Sequence, residues 1–308
     1  MWCFTVIERL CESLVAQGMS PAQLLRDEPM ARHTTFRVGG PADLLIDARS
    51  ARDISLALAA AREYAVPAMV IGNGSNLLVR DGGIAGVVVR IGEGMAQLEF
   101  EGARVRAGAG CLMSRLGAEC ARRGLAGFEP LSGIPGTLGG AAAMNAGAYG
   151  GELKDVLASA TVLRDGREEE LSLAEMELGY RTSRVLREGL IVTGVCLQLR
   201  PDDPEAVRAR TDEFTARRRA KQPLSLPSAG STFKRPEGYF AGALIEQCGL
   251  KGTRVGGAEV SWMHAGFIVN AGGARARDVE DLIDLVRTKV RLSTGVELEP
   301  EVRIIGRA

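Results

Sequence analysis

Gly72-Asn73-Gly74-Ser75-Asn76-Leu77-Leu78-Val79-Arg80-Asp81-Gly82-Gly83 follows a short apolar stretch, Val66 to Ile71, that reads as a strand. Gly72 and Gly74 match the first two glycines of a dinucleotide-binding fingerprint, but position 77 is Leu. That fingerprint needs a helix opening at its glycines, so that the helix N-terminus meets a pyrophosphate. Here Leu77 to Arg80 reads as strand, Asp81-Gly82-Gly83 as turn, and Ile84 to Ile91 as strand again. A Rossmann arrangement is therefore rejected. The loop can still hold an anion, because consecutive N–H groups in a Gly/Asn/Ser turn form a nest without a helix. No Gly-x-x-x-x-Gly-Lys-Ser/Thr loop occurs, which argues against a P-loop site.

A second Gly-rich stretch lies downstream. From Pro130 to Gly151 there is no charged residue, in a chain that is 25% charged. From Ser132 onward seven positions are Gly and five are Ala. The large apolar side chains (Leu131, Ile134, Leu138, Met144, Tyr149) are too few for a core, and two prolines with Asn145 rule out a membrane span. Two readings stay open: a tight packing turn, or a loop whose bare backbone lies against a flat or anionic ligand. The ligand loop is preferred.

At 308 residues two or three lobes are expected. Thirty-eight basic and 38 acidic residues cancel, leaving no global field to draw nucleic acid or an anionic membrane. Six cysteines (3, 11, 111, 120, 196, 248) include no Cys-x-x-Cys pair, and His33 and His264 are the only histidines, so no metal site is expected. Scattered reduced thiols suit a cytosolic protein. Met1 to Ser20 carries Glu8, Arg9 and Glu12 within an apolar pattern, which reads as an amphipathic helix and not a signal peptide. A cytoplasmic location is expected.

Strands are read at Asp43–Ala48, around Glu101-Gly102 within Leu98–Ala107, at Val156–Arg164, Glu170–Leu173, Ile191–Leu199, His264–Val269 and Leu298–Ile305. Helices are read from Ser50 to about Tyr64, Cys111 to Arg123, Glu205 to Lys221, Phe240 to Cys248 and Asp278 to Ser293. Pro201-Asp202-Asp203-Pro204 reads as a linker and places a domain boundary there.

Three polar sites interrupt these patterns: Gly179-Tyr180-Arg181-Thr182-Ser183, Ser228 to Pro236 around Ser231, and Leu298 to Ile305 around Glu301. Singly, each has a plain alternative. Arg181 reads as a surface arginine, Ser231 as a turn hydroxyl, and Glu301 as half of an ion pair with Arg303. No Gly-x-Ser-x-Gly elbow marks Ser231 as a nucleophile.

Taken in order, the segments Phe36-Arg37-Val38-Gly39-Gly40, Gly72 to Leu78, Ile134 to Gly140, Asn145 to Gly150, Tyr180-Arg181-x-Ser183, Gly230-Ser231-x-Phe233-Lys234 and Glu301-Val302-Arg303 closely resemble the UDP-N-acetylenolpyruvoylglucosamine reductase (UDP-N-acetylmuramate dehydrogenase) family. The resemblance runs from about residue 30 to the end. It implies an α+β fold: an N-terminal helical segment (1–30), a two-lobed FAD-binding domain of the vanillyl-alcohol-oxidase-like (PCMH) type (31–203), and a smaller α+β substrate-binding domain (204–308).

It further implies non-covalent FAD, held by Gly72, Asn73, Gly74, Ser75, Asn76, Ser132, Gly133, Ile134, Pro135, Gly136, Gly139, Gly140, Asn145, Ala146 and Gly147. Neither histidine lies in these loops, which agrees with the absence of a covalent flavin link. NADPH as co-substrate would reduce the flavin. Hydride from flavin N5 would then reach C3 of UDP-N-acetylglucosamine enolpyruvate, and Ser231 would protonate C2. Arg181 and Glu301 would act at the substrate carboxylate. Lys221 and Arg235 would contact substrate. The product, UDP-N-acetylmuramate, is a peptidoglycan precursor, so cell wall biogenesis, cell shape and cell division are the implied processes. The compact stretch between Arg181 and Ser231 resembles the shorter subtype, without an inserted tyrosine-bearing loop. A monomer or weak oligomer is expected. Two other readings stand beside this one: a flavin oxidase with another substrate, and a catalytically silent flavin-binding module.

Overall fold

The computed structural model describes residues 4–308; Met1 to Cys3, the start of the amphipathic segment, lie outside the described residues. Its helices are α1 (Phe4–Ala16), α2 (Ala51–Glu63), α3 (Met113–Arg123), α4 (Leu138–Met144), α5 (Arg184–Glu188), α6 (Pro204–Lys221), α7 (Ala241–Gln247) and α8 (Ala276–Thr294).

Two sheets build the first part of the molecule. One orders its strands 24–29, 41–48, 84–91, 68–71, and the last three run parallel. The strand at 24–29 belongs to the span expected to be purely helical. Ser50 caps α2 by accepting the Asp53 N–H at 3.2 Å, and Ile54, Ala57, Ala60 and Ala61 put one face of that helix into the core. The second sheet is antiparallel, in the order 167–172, 157–164, 191–198, 104–108, 98–101. One large core, to which α1 contributes Leu10 and Leu14, lies between these layers.

The Gly72 loop leads into the strand 77–79, then 84–91, with no helix between them, as the rejection of a Rossmann unit requires. The strand 77–79 pairs in parallel with 303–305, so the chain's end returns to the loop that precedes residue 77. That final strand is shorter than the sequence pattern suggests. Residues 298–302 instead face the segment 232–234: Lys234 N–H donates to Glu299 O at 2.9 Å and Glu301 N–H to Thr232 O at 2.8 Å.

A second core holds α7, α8 and the small sheet 254–255, 258–260, 268–270. Phe36 and Val38 from the early motif are buried in this second core, and Thr35 Oγ1 donates to Ser228 O at 2.7 Å. That motif therefore ties the two parts together. Arg80 grips Glu280 of α8 through both carboxylate oxygens, and Asp81 accepts the Ala276 and Arg277 N–H groups at its start.

Helix α6 is capped by Asp203, which accepts the Ala206 N–H at 3.2 Å. The sequence groups this helix with residues 204–308, but it packs on the first part. Val207 is buried with Ala121 and Ala126, and Arg210 pairs with the buried Glu129 at 2.9 Å. The contacts of a helix that follows a linker depend on its buried face, which a Pro-Asp-Asp-Pro signal does not report.

Candidate active site

The loop at residues 72–76 is held by neighbours and leaves its donors open. Asn73 Nδ2 donates to Pro135 O at 2.7 Å, joining the loop to the uncharged run. Gly74 O accepts from Thr35 and Leu77, and Asn76 O accepts from Arg303. Among the described residues no acceptor takes the main-chain N–H groups of Asn73, Gly74, Ser75 or Asn76. Four consecutive unpaired N–H groups make an anion nest.

The uncharged run is pinned from below. Leu138 N–H donates to Cys111 O at 2.8 Å and Gly139 N–H to Ala109 O at 2.9 Å. Contrary to a plain loop, residues 138–144 form α4, ended by Asn145 at φ 43°. A Cβ on Gly139 would lie 2.7 Å from Ala109 Cβ, so that glycine serves packing. A Cβ on the exposed Gly140 would meet nothing closer than Thr137 Oγ1 at 3.7 Å, so that glycine faces open space. The packing reading holds at Gly139, while the exposed Gly140, about 100° further round the same short helix, leaves its side open. Ser132 is buried and donates to Glu129 O at 2.8 Å, and Ile134 packs against the large core. Their side chains face inward.

Asn145 is fully buried. Its amide donates to Glu152 Oε2 and Gly179 O, both at 3.2 Å, and its Oδ1 accepts the Lys154 N–H. These bonds fix the turn that carries Arg181. Gly179 and Thr182 pair across that turn, which sets Arg181 at φ 55° in the left-handed region. Ser183 also caps α5 and donates to Ala143 O at 2.6 Å, so the turn rests on α4.

Arg181 Nε donates to Glu301 Oε1 at 2.7 Å, and its Nη2 lies 3.4 Å from Gly147 O. Both side chains are largely buried, 20% and 13% exposed. Burial pushes the Glu301 carboxyl above its ordinary value, while the Arg181 guanidinium pulls it back. Asn76 Nδ2 donates to Glu301 O at 3.1 Å. Ser231, half-buried, precedes the Thr232 that accepts from Glu301, and its Oγ lies 3.2 Å from Phe233 O. The structure therefore draws Arg181, Glu301, Ser231 and the 72–76 loop into one neighbourhood, from segments more than 200 residues apart.

Arg235 is exposed, with its guanidinium 4.0 Å from the Phe240 ring centroid, and its N–H donates to Tyr180 Oη at 3.1 Å. That contact joins the 181 turn to the 231 segment. Lys221 is exposed at the end of α6 and has no side-chain partner among the described residues. Arg218, on the preceding turn, is not singled out by the sequence reading, yet only 8% of it is exposed. The available signal is helical spacing: Val207, Thr211, Phe214 and Arg218 fall on one face.

These features fit a flavin. An open, charge-free backbone face, a nest of free N–H groups and a cation–carboxyl pair suit a flat dinucleotide beside a carboxylate substrate. The fold and site define an FAD-dependent oxidoreductase. Residues 42–172 match the FAD binding domain family, and residues 222–305 match the C-terminal domain of UDP-N-acetylenolpyruvoylglucosamine reductase. The chain is 51% identical to the UDP-N-acetylenolpyruvoylglucosamine reductase of Alkaliphilus oremlandii, covering 92% of this chain and 93% of that protein. It is 46% identical to that of Clostridioides difficile, covering 94% and 95%. A crystal structure of UDP-N-acetylenolpyruvylglucosamine reductase from Thermus caldophilus superimposes with a TM-score of 0.78 at 39% identity, covering 90% and 97%. The chain belongs to the UDP-N-acetylenolpyruvoylglucosamine reductase family.

Proposed function

We propose that this chain catalyses the NADPH-dependent reduction of UDP-N-acetylglucosamine enolpyruvate to UDP-N-acetylmuramate in peptidoglycan precursor synthesis. The observation that carries the reading is the Arg181–Glu301 contact, assembled beside Ser231 and the open 72–76 loop. When bound, FAD supplies two-electron chemistry between NADPH and the enolpyruvyl group. The residues to hold it are the 72–76 amides and the face of the uncharged run that Gly140 leaves open.

Arg181 binds and polarises the substrate carboxylate, which takes up negative charge as C3 is reduced. That carboxylate competes with Glu301 for the same guanidinium. A second anion beside Glu301 raises its proton affinity further, so substrate binding favours its neutral, hydrogen-bond-donating form. Ser231 delivers the proton to C2. A serine hydroxyl is a weak acid, and the adjacent cation and neutral carboxyl lower the cost of that transfer. Lys221, without a side-chain partner among the described residues, and the exposed Arg235 are suited to the nucleotide's phosphates. The packing of α6 supports a first unit reaching residue 221 and a smaller one, 222–308, that supplies Ser231 and Glu301. No described helix is long and apolar enough to cross a membrane.

The test is an assay of NADPH oxidation by the purified, FAD-loaded protein with and without the enolpyruvyl sugar nucleotide. Substrate-dependent oxidation with UDP-N-acetylmuramate as product supports the reading. Flavin-loaded protein that oxidises NADPH at the same rate without substrate, and forms no product, refutes it.

A further inference from the structure

A guanidinium taken out of water needs an anion or a full set of acceptors. Arg218 is 8% exposed, and no carboxylate pairs with it among the described residues. Its one side-chain hydrogen bond runs from Nη1 to Gln222 Oε1 at 3.2 Å, and its guanidinium carbon stands 5.5 Å from the Tyr149 ring centroid. Neighbouring arginines on α6 differ: Arg210 pairs with Glu129 and Asp202, and Arg217 pairs with Glu213. Burial lowers the proton affinity of Arg218, which marks a charge without an anion close by.

The position of the guanidinium is set by the uncharged run. A Cβ on Gly133 would lie 2.8 Å from Arg218 Nε, so the side chain rests directly on that glycine. No enclosed side-chain nitrogen or oxygen is left unpaired among the described residues. The Arg218 N–H groups that Gln222 does not take therefore reach accessible space, and no described carboxylate pairs with them.

We propose that Arg218 binds a diphosphate group, presented to it by Gly133 on one side and the Tyr149 ring on the other. This deepens the flavin-dependent reading above and rests on it. A planar guanidinium with free donors matches two adjacent phosphate oxygens, a geometry a lysine ammonium does not reproduce. Three molecules in that reading carry a diphosphate: FAD, NADPH and the sugar nucleotide.

The experiment compares wild type with Arg218→Met and Gly133→Ala. FAD and riboflavin are titrated into deflavinated protein, UDP and NADP+ are each titrated into FAD-loaded protein, and Tm is followed throughout. Arg218→Met is expected to weaken FAD, UDP or NADP+ by about ten-fold or more while riboflavin binding stays unchanged. Loss confined to FAD assigns the flavin diphosphate, loss confined to UDP assigns the substrate, and loss confined to NADP+ assigns the nicotinamide co-substrate. Gly133→Ala keeps the charge but displaces a flexible side chain, so it folds and should weaken the same ligand; it decides the matter if Arg218→Met fails to fold. Folded variants whose FAD, UDP and NADP+ affinities all equal wild type overturn the proposal for Arg218 alone. Wild type that binds neither FAD nor UDP overturns the flavin reading as well.

Discussion

Asn76 reaches from the 72–76 loop to the main-chain carbonyl of Glu301, 3.1 Å from its side-chain nitrogen. Its own carbonyl accepts the Arg303 N–H at 3.0 Å, so one residue braces both sides of Glu301. The loop with free N–H groups and the carboxyl that meets Arg181 share a single support. Asn76→Ala should therefore disturb cofactor and substrate together, at a stability cost of about 1 kcal/mol for the lost hydrogen bond. FAD titration and substrate-dependent turnover should both weaken in a variant that still melts cooperatively. Weakening of only one would show that the two functions are not mechanically joined.

The role proposed for Ser231 concerns the proton and not the hydride. Ser231→Ala should leave flavin reduction by NADPH near wild type and slow substrate-driven flavin reoxidation by about 10²–10⁴-fold. Stopped-flow traces of each half-reaction separate the two. Equal slowing of both would remove the assignment.

The two adjacent glycines of α4 predict opposite failures. Gly139→Val drives a side chain into Ala109, whose Cβ is 2.7 Å from the new Cβ, and should cost about 1–3 kcal/mol through overpacking. Gly140→Val meets no close atom and should keep its Tm but lose FAD. Melting curves and flavin absorbance of the two purified variants check this. Full FAD occupancy in Gly140→Val would mean that the open side of α4 does not carry the flavin.

Glu301 carries a pH signature. Burial raises its folded-state pKa above the ordinary 4.5, so the folded chain holds this proton more tightly than the unfolded one. Its contribution to stability is present at acid pH and is lost as pH rises from about 4.5 through the raised value. Glutamine has no such loss. The Tm difference, Glu301→Gln minus wild type, should become more positive as pH rises across that window. A difference that stays flat or falls would contradict the burial of this carboxyl.

Local signals carried much of the fold into the sequence. The strand after Gly72 excluded a Rossmann unit, and the helices read from Ser50 and up to Arg123 have those ends at Ala51 and Arg123 in the structure. Other features depend on distant partners and left little local trace. Residues 138–144 contain two glycines yet form a helix, because Cys111 and Ala109 accept its first N–H groups. Phe36 and Val38 stand in an early motif ahead of the first sheet's parallel strands, but their burial is in the other unit's core. Arg181, Ser231 and Glu301 could be listed from motif order, whereas their convergence needed the parallel pairing of 303–305 with 77–79. Arg218 was hidden among charged neighbours, and only the face it shares with Val207 and Phe214 distinguishes it.

The central claim is that electrons pass from NADPH to a flavin held on the uncharged run, and from there to an enolpyruvyl sugar nucleotide at Arg181, Ser231 and Glu301. The most direct measurement is anaerobic: bleach the FAD-loaded protein with one equivalent of NADPH, add UDP-N-acetylglucosamine enolpyruvate, and follow flavin absorbance. The account predicts bleaching by NADPH and full return of the oxidised spectrum on adding substrate, with one UDP-N-acetylmuramate formed per flavin. A flavin that bleaches and stays reduced after substrate is added would contradict it.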